Sequence, residues 1–455
     1  MSTATPAQDY RQQPDNQALS HIPGDDGWPL VGRGLQMFGN LLGVARDHHR
    51  RFGEVSRTSL GPQRGLLVVG ADNYQRIYLD RDRQFSAEMG YAEQLGKFYK
   101  GGLLLRDFDE HRFQRRIMQG AFKTPAMRNY VALMNPMLLA SIQQWPRDKT
   151  VSFFPLIKHA LLEVGARVFI GLKEFGGEAD LLNEAFINLN DGLGAVLHWN
   201  LPGMKFRRGL KGKADLQGYF ARLVGERRGA EGDDMFTFMC NERSEDGELF
   251  SDTDIVQHAA FLLFAAHDTT TSLLSHMVMH LAQNQDWQQR LREECQALDK
   301  PALEYEDLEK LTLMDYCIQE TLRLHPSVPI MARRTTVDME LGGFAVPAHT
   351  MVFLPIAFNH RDANYWSDPE RFDPLRFSPE RAEFKRHSFC YHPFGGGAHK
   401  CIGLHFAAMQ AKCFLHQLLL NCRLTCEPGY QPKLQWVPLP KPRDGARVRF
   451  VPLNR

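Results

Sequence analysis

The longest uninterrupted helical pattern in the chain is the feature that most restricts its fold. Residues 255–284 contain neither glycine nor proline, and the stretch is apolar on most sides around Phe261–Ala266. Ser251 and Asp254 precede it with the spacing of a helix cap. At 1.5 Å per residue, such a helix would be roughly 45 Å long, enough to cross a whole domain. A helix that is apolar on most sides is buried, so we expect a large, mainly helical unit around it.

The rest of the chain of 455 residues shows no linker that would divide this unit. We expect residues 1–21, a polar stretch, to be a mobile N-terminal segment, and residues 22–455 to form a single domain. Strand-like pieces at 54–60 and 65–69, separated by Gly61-Pro62, predict a hairpin. Further strand and turn patterns occupy 344–353 and 434–450. The predicted fold class is therefore mainly α with small β-sheets (α+β).

Composition excludes several classes of function. Lys+Arg (54) and Asp+Glu (53) almost balance, which gives no electrostatic reason to expect nucleic acid as a partner. Eight cysteines without a C-x-x-C pair indicate neither a disulfide framework nor a zinc ribbon. The apolar stretches fall far short of the ~20 residues that span a bilayer, so no transmembrane anchor is expected. We therefore predict a soluble protein of the reducing cytoplasm.

A short glycine-rich stretch carries the strongest functional signal. Residues 394–403 read FGGGAHKCIG, with Phe394 three residues before Gly397, Cys401 four residues after it, and Gly403 beyond. Small residues let a backbone pass close beneath a flat macrocycle, and a cysteine thiolate can then reach a central iron. A helix that begins at Ile402 would direct its free N–H groups toward the sulfur. The alternative is a glycine-rich turn with a buried cysteine.

Polar residues inside the long helix form a second candidate site. Ala265, Asp268 and Thr269 have the spacing i, i+3, i+4, so they lie on one face. A buried carboxylate is costly unless it is paired, and this one needs an explanation. The alternative is an Asp satisfied within the core and a Thr bonded back to its own helix. His267 between them is expected to make a hydrogen bond rather than to ligate a metal.

Together these motifs resemble the cytochrome P-450 family, over roughly residues 22–450. The resemblance implies a long central helix over a buried haem b, with Cys401 as the axial ligand of the iron. Phe394 and Gly403 would complete the binding loop. Thr269 would hold a water and Asp268 would relay protons. One departure is Ala266, where the family usually has Gly, and its effect on the oxygen site is open.

Basic residues at several places match the family's partners for the two haem propionates. His111 and Arg115 have the helical spacing i, i+4, so both could reach one carboxylate. By the resemblance His399, two residues before Cys401, has the same role, and Arg333 is a fourth candidate with Arg334 as its competitor. An ordinary solvated basic face is the alternative for His111 and Arg115.

An E-x-x-R pair, Glu320 and Arg323, is followed by the stretch DPERF at 368–372. Such pairs are common on helix surfaces and contribute little there. In the family the pair is coupled to an arginine of the second motif. The resemblance therefore implies a structural network of Glu320, Arg323 and Arg371 that braces the haem loop.

The candidate substrate contacts are mainly apolar, which favours a lipophilic substrate such as a fatty acid or a terpenoid- or steroid-like molecule. They are Phe261, Phe264, Ala265, Val328 and Ile330, each of which could equally be plain core. The resemblance implies a haem-thiolate monooxygenase that hydroxylates its substrate with O2. Since no redox domain is fused, the electrons would come from a ferredoxin and an NAD(P)H-dependent ferredoxin reductase. A basic patch would suit an acidic donor; its candidates are Arg112, Arg116, Lys123, Lys385, Arg386 and Lys400.

Two other functions fit the same fold. A peroxide-using or isomerising haem-thiolate enzyme would typically lack the acid–alcohol pair, so Asp268 and Thr269 argue against it. A non-catalytic haem-binding or sensor protein would need no proton relay.

Overall fold

The computed structural model describes residues 18–29, 31–61, 63–172, 177–195, 197–244 and 247–453. Helices dominate these ranges: α1 Gly34–Phe52, α2 Ala71–Leu79, α3 Ala87–Tyr99, α4 Phe108–Gln119, α5 Thr124–Gln144, α6 Phe153–Ile170, α7 Glu178–Leu193, α8 Lys205–Arg227, α9 Met235–Asn241, α10 Asp252–Gln283, α11 Gln285–Gln296, α12 Thr312–Leu324, α13 Ile356–Asn359 and α14 Leu404–Asn421. The predicted fold class is confirmed.

The strands are short and lie mostly near the two ends of the chain. They are β1 Val55–Leu60, β2 Gln63–Val68, β3 Phe85–Ser86, β4 Thr150–Ser152, β5 Met331–Thr335, β6 Met339–Leu341, β7 Phe344–Val346, β8 Met351–Leu354, β9 Cys422–Thr425, β10 Leu434–Gln435, β11 Lys441–Pro442 and β12 Arg447–Pro452. The main sheet has the order β1-β2-β8-β5-β3, and a second sheet has the order β4-β12-β9.

The predicted long helix is confirmed as α10, which has 32 residues and begins after Ser251. The Ser251 hydroxyl accepts a hydrogen bond from the Asp254 N–H at 3.1 Å, which satisfies one of the free donors of the first turn. Most of the helix is buried, and it packs against α6, α8 and α12. None of the helices within the described ranges is both long and apolar enough to cross a bilayer.

The predicted hairpin is also confirmed: β1 and β2 are antiparallel, with Val55 opposite Val68. β8 joins β2 in parallel and β5 joins β8 antiparallel, so β5 lies inside the main sheet. Helix α3 passes so close to β5 that a Cβ added at Gly90 would lie 2.9 Å from the Arg333 Cα. Glycine at this position lets the sheet and α3 hold Arg333 in a fixed place.

The N-terminal segment was predicted to be mobile over residues 1–21. Residues 1–17 lie outside the described residues, but Leu19 does not. Its side chain is buried and packs in one cluster with Ile22 and Val55 of β1. The chain is therefore packed onto the small sheet from residue 19 onward, earlier than expected.

Candidate active site

The loop that carries Cys401 folds back on itself and lies against α2. The Cys401 N–H donates a hydrogen bond to the Phe394 carbonyl at 2.9 Å. Gly395 and Gly397 have φ of 69° and 61°, a region that favours glycine. A Cβ at Gly397 would also overlap the carbonyl oxygen of Tyr78. The glycines are therefore required for this close approach of two backbones.

The Cys401 side chain has an open face although protein surrounds it on most sides. Burial raises the pKa of its thiol, whereas the Gly403 N–H and the Arg115 charge lower it. Helix α14 begins at Leu404 with Gly403 as its N-cap, two residues later than predicted. The end of the helix still supplies an N–H group to the sulfur. A metal ion deprotonates a coordinating thiol outright, so the raised pKa does not oppose iron ligation.

Two of the predicted propionate partners lie against each other. The rings of His111 (α4) and His399 are 4.0 Å apart between centroids. His399 Nε2 lies 3.2 Å from a carboxylate oxygen of Asp107, a buried residue that the sequence analysis did not single out. Burial and the charges of His399 and Arg115 lower the pKa of His111 to about 3. His111 is therefore neutral at physiological pH in this environment.

Arg115 and Arg333 complete the predicted basic group. Their positive charges each act on both His111 and His399, which places all four side chains together. Arg333 donates to the Ala332 carbonyl at 2.8 Å and lies over the Tyr78 ring. Among the described residues, no carboxylate lies within ion-pair distance of either arginine. Guanidinium groups that are buried or half-buried without a carboxylate partner are stabilised by an added anion. These residues fit the two propionates of a porphyrin.

The predicted acid of α10 is held in an ion pair. Asp268 lies 3.1 Å from Lys158 Nζ on α6 and 3.2 Å from His267 Nδ1. Burial alone would raise the pKa of Asp268, but the His267 contact and the Lys158 charge lower it to about 2. His267 also hydrogen-bonds the Lys158 carbonyl through Nε2 at 2.8 Å. The expectation that His267 makes hydrogen bonds is thus confirmed.

The predicted alcohol, Thr269, is bonded back to its own helix. Its hydroxyl donates to the Ala265 carbonyl at 2.7 Å, and its own carbonyl accepts from the Ser327 hydroxyl at 2.9 Å. In this structure Thr269 therefore makes the hydrogen bond of the alternative interpretation, in which the threonine is bonded back to its own helix. A hydroxyl that donates to a carbonyl keeps lone pairs free to accept from a water.

The middle of α10 has an open apolar face between two buried stretches. Phe264, Ala265 and Thr269 are partly exposed, as are the predicted pocket residues Val328 and Ile330. These five residues are therefore less tightly packed than the core residues on either side of them.

The remaining predicted pocket residue, Phe261, is buried against Gly102 and Tyr99 of the preceding segments. The Tyr99 ring also stacks on Phe264, 4.6 Å between centroids. Phe261 is therefore more tightly packed than the other four candidate pocket residues.

The E-x-x-R pair is buried and bidentate. Arg323 Nε and Nη2 lie 2.7 and 2.9 Å from the two carboxylate oxygens of Glu320. The prediction of Arg371 as the third side chain of this network is wrong. The Arg371 side chain is exposed, and the residue contributes only its backbone carbonyl, which accepts a hydrogen bond from Arg323 at 3.2 Å. Arg376 takes the place instead, with Nε 3.3 Å from Glu320 and Nη1 3.2 Å from Glu383.

Three functional neighbours escaped the sequence analysis: Lys158, Asp107 and Arg376. Lys158 lies 110 residues before its partner, so no local spacing could signal it. Asp107 precedes His111 by one helical turn, so its spacing from His111 could have identified it. Arg376 and Arg371 lie in one short stretch. Only the backbone conformation of that stretch determines which of the two side chains reaches Glu320.

Comparisons with known proteins place the chain among its relatives. The family model described as Cytochrome P450 matches residues 22–443. The chain is 35% identical to a putative cytochrome P450 136 of Mycobacterium tuberculosis, over 99% of this chain and 93% of that protein. It is 25% identical to an abscisic acid 8′-hydroxylase of Arabidopsis thaliana, over 94% and 92%.

A solved structure shares the fold. The retinoic acid-bound cyanobacterial CYP120A1 superimposes with a TM-score of 0.85 at 27% identity. The superposition covers 95% of this chain and 99% of that one.

Proposed function

The chain belongs to the cytochrome P450 family and is a monooxygenase, and we propose that it inserts one oxygen atom of O2 into a lipophilic substrate. The observation that carries the proposal is the meeting of the Cys401 loop with four basic side chains, two of which have no carboxylate partner within the described ranges. A thiolate and a cationic group at one place match the iron and the propionates of one porphyrin.

Each residue of the site then has a specific task. Cys401 holds the iron, and His111, Arg115, Arg333 and His399 hold the propionates. The porphyrin is proposed to be haem b, since the chain has no C-x-x-C pair for covalent attachment. When bound, this group supplies the activation of O2. The protein supplies its position, a proton path and the orientation of the substrate.

Proton delivery is proposed to run through Asp268 and Thr269. Asp268 is mostly buried beside Lys158, whose side chain is 36% exposed and connects the pair to solvent. We expect Asp268→Asn to slow turnover about 10²-fold, the scale of a lost proton-transfer group. Thr269→Ala should keep oxygen consumption but release hydrogen peroxide in place of product. A variant that matches the parent in both rate and coupling would remove its residue from this path.

The proposed substrate class is a fatty acid or an isoprenoid such as a terpenoid, steroid or retinoid. The candidate pocket residues Phe264, Ala265, Val328 and Ile330 offer only apolar surface. The structural relative binds retinoic acid, an isoprenoid carboxylic acid with a long apolar chain, which supports the isoprenoid end of this range. A titration of the ferric protein with each class, read by its spin-state change, ranks the candidates.

A ferredoxin with its NAD(P)H-dependent reductase is the proposed electron source. The basic side chains proposed to contact an acidic donor are all exposed: Arg112, Arg116, Lys123, Lys385, Arg386 and Lys400. All eight cysteines carry free thiols, which suits the reducing cytoplasm where such donors act.

The deciding experiment compares Cys401→Ala with the parent protein. The reduced carbon monoxide complex of the parent should show the thiolate-type spectrum, and the variant should not. Product formation that requires both O2 and reduced ferredoxin supports the proposal. Product formed with peroxide alone would point to the peroxide-using alternative, and ligand-independent NADPH consumption to the sensor.

A further inference from the structure

A buried histidine lies between the E-x-x-R pair and the haem loop, the stretch 393–403 that carries Cys401. His360 is the C-cap of the short helix α13, and it is fully buried. The His360 carbonyl accepts a hydrogen bond from Arg323 Nη1 at 3.0 Å. Its ring nitrogen Nε2 lies 2.9 Å from the backbone nitrogen of His392. One residue therefore contacts the buried pair through its backbone and the start of the haem loop through its side chain.

The contact with His392 fixes the point at which the haem loop begins. The next residue, Pro393, has no N–H to donate. The His392 carbonyl accepts the Gly395 N–H at 2.9 Å, which closes a turn. Within the loop, the Phe394 carbonyl accepts the Cys401 N–H at 2.9 Å. The His392 amide is thus the last backbone donor before the turn, and its position determines where the turn starts.

The proton on the His360 ring is assigned by its partner. A backbone N–H can only donate, so Nε2 must present a lone pair to the His392 amide. A neutral ring then carries its proton on Nδ1. Burial, more than any neighbouring charge, lowers the pKa of His360 well below its ordinary value. The ring is therefore neutral at physiological pH and available as an acceptor.

We propose that His360 is a positioning residue for the haem loop and acts through the His392 amide. Glu320 and Arg323 hold the backbone of His360, and its imidazole in turn holds the loop in the conformation that presents Cys401. This role rests on the proposed function, because it takes Cys401 as the iron ligand. Without its acceptor the buried His392 N–H would be unsatisfied, and the loop would leave this conformation to pair it.

Other contacts hold the chain just before the haem loop. Asn359 Nδ2 donates to the Phe389 carbonyl at 3.1 Å. The Tyr391 hydroxyl donates to the Gln319 carbonyl of α12 at 3.0 Å. Both contacts precede His392 in the chain, and neither involves the His360 ring. Replacement of that ring should therefore change the loop without unfolding the protein.

The His392 ring offers a matched control. Its centroid lies 4.9 Å from that of Tyr74 and 4.8 Å from that of His360. Among the described residues, neither of its ring nitrogens has a hydrogen-bond partner. His392→Phe removes a buried imidazole from the same cluster but keeps the backbone N–H that His360 accepts. His360→Phe keeps an aromatic ring but removes the acceptor.

Hydrogen exchange of the haem-loaded protein tests this contact directly. In His360→Phe the His392 amide should exchange at least about tenfold faster than in the parent, the scale of a buried donor that has lost its acceptor. His360→Gln has a side-chain carbonyl that can accept, so it should restore slow exchange. His392→Phe should exchange as slowly as the parent.

The reduced carbon monoxide complex gives a second readout. His360→Phe should lose the thiolate-type spectrum at a urea concentration well below that of unfolding. The parent, His360→Gln and His392→Phe should lose it only as they unfold. A merely structural role of His360 would instead shift the loss of the spectrum and the unfolding together.

The parent protein itself decides the case if His360→Phe does not fold. In nitrogen-15 spectra of its histidines, recorded on the carbon monoxide complex, the ring signal that His360→Gln lacks should show a proton on Nδ1. A proton on Nε2 would overturn the proposal, as would equal exchange in His360→Phe and His392→Phe. Absence of the thiolate-type spectrum from the parent would contradict the proposed function and leave the exchange test of His360 intact.

Discussion

Arg371 and Arg376 lie five residues apart, and their surroundings are opposite. The Arg376 side chain is fully buried between Glu320 and Glu383, whereas that of Arg371 reaches solvent. Removing one partner of a buried ion pair leaves uncompensated charge, which costs about 3–5 kcal/mol. A surface substitution usually changes stability by less than about 0.5 kcal/mol.

Arg376→Ala should therefore lose haem and lower the free energy of unfolding by about 3–5 kcal/mol. Arg371→Ala should leave both nearly unchanged, because its contribution to the network is a backbone carbonyl. Haem content per protein and urea unfolding of the two variants measure this. Equal losses of haem and of stability in both variants would mean that the Arg371 side chain does belong to the network.

At the same scale, Lys158 and His267 together keep Asp268 charged. The carboxyl has a pKa of about 2 in the folded protein, below the ~3.9 of a free aspartate. Its ion pair therefore stabilises the fold at every pH above about 4, and this contribution is lost as the pH falls toward 2. Lys158→Met should lower the free energy of unfolding by about 1–2 kcal/mol at pH 7.

Lys149→Met is the matched control, since Lys149 is exposed just before α6. The stability gap between the two variants, measured by urea unfolding, should be constant from pH 6 to pH 8. A gap that closes already at pH 6 would mean that some other group, not Asp268, depends on Lys158.

The sequence located these residues to very different degrees. Cys401, Glu320 and Arg323 lie in short motifs whose spacing is visible in the sequence. The expected partner of Glu320 and Arg323 was nevertheless wrong, since Arg376 and not Arg371 contacts Glu320. Lys158 meets Asp268 only because α6 packs on α10. A contact made by packing between distant helices leaves no trace in local spacing, so the partner of a predicted acid could not be read from the chain.

At the scale of the elements, α7 and α8 form a tightly packed helix pair with glycines at its closest point. A Cβ at Gly209 would lie 2.6 Å from the Gly192 Cα and 3.0 Å from the Phe98 ring. A Cβ at Gly218, in the same helix, would meet nothing within 4 Å. Of the four glycines of α8, Gly209 and Gly218 are thus opposite cases in one element.

Gly209→Ala should lower the free energy of unfolding by about 1–3 kcal/mol, because the helices must separate. Gly218→Ala should raise it by about 0.5–1 kcal/mol, because alanine favours the helix without a clash. Thermal unfolding of both variants gives the two signs. Stabilisation by Gly209→Ala would show that α7 and α8 can move apart freely.

Element boundaries followed their local signals. The Ser251 cap fixed the start of α10, and the Gly61-Pro62 pair in the sequence marked the first hairpin. Helix α14 starts two residues later than predicted, because Gly403 takes the cap position and leaves Cys401 in the loop. The order of the strands in the main sheet could not be predicted, since β8 inserts between β2 and β5 through pairing far along the chain.

At the scale of the whole molecule, many histidines are buried without charge. Burial lowers the pKa of His276 to about 4, and that of His258, His280 and His392 to about 3. In the unfolded chain each would titrate near 6.5. Between pH 6.5 and about 4 the unfolded state therefore binds more protons than the folded state, and stability falls as the pH falls.

Each such histidine contributes a slope of up to about 1.4 kcal/mol per pH unit in this window and none above it. The protein should thus lose stability steeply below pH 6, before most carboxylates, which titrate at about 4, are protonated. Asp80 is an exception, because burial raises its pKa to about 6. His280→Phe should reduce the slope by one proton, because phenylalanine can keep the stacking on Phe372. His159→Gln, at a side chain that is 75% exposed, should leave the slope unchanged.

The urea midpoint measured from pH 8 to pH 5 gives the slope for each protein. If the His280→Phe and parent curves run parallel, acid sensitivity comes from surface charge and not from the buried imidazoles.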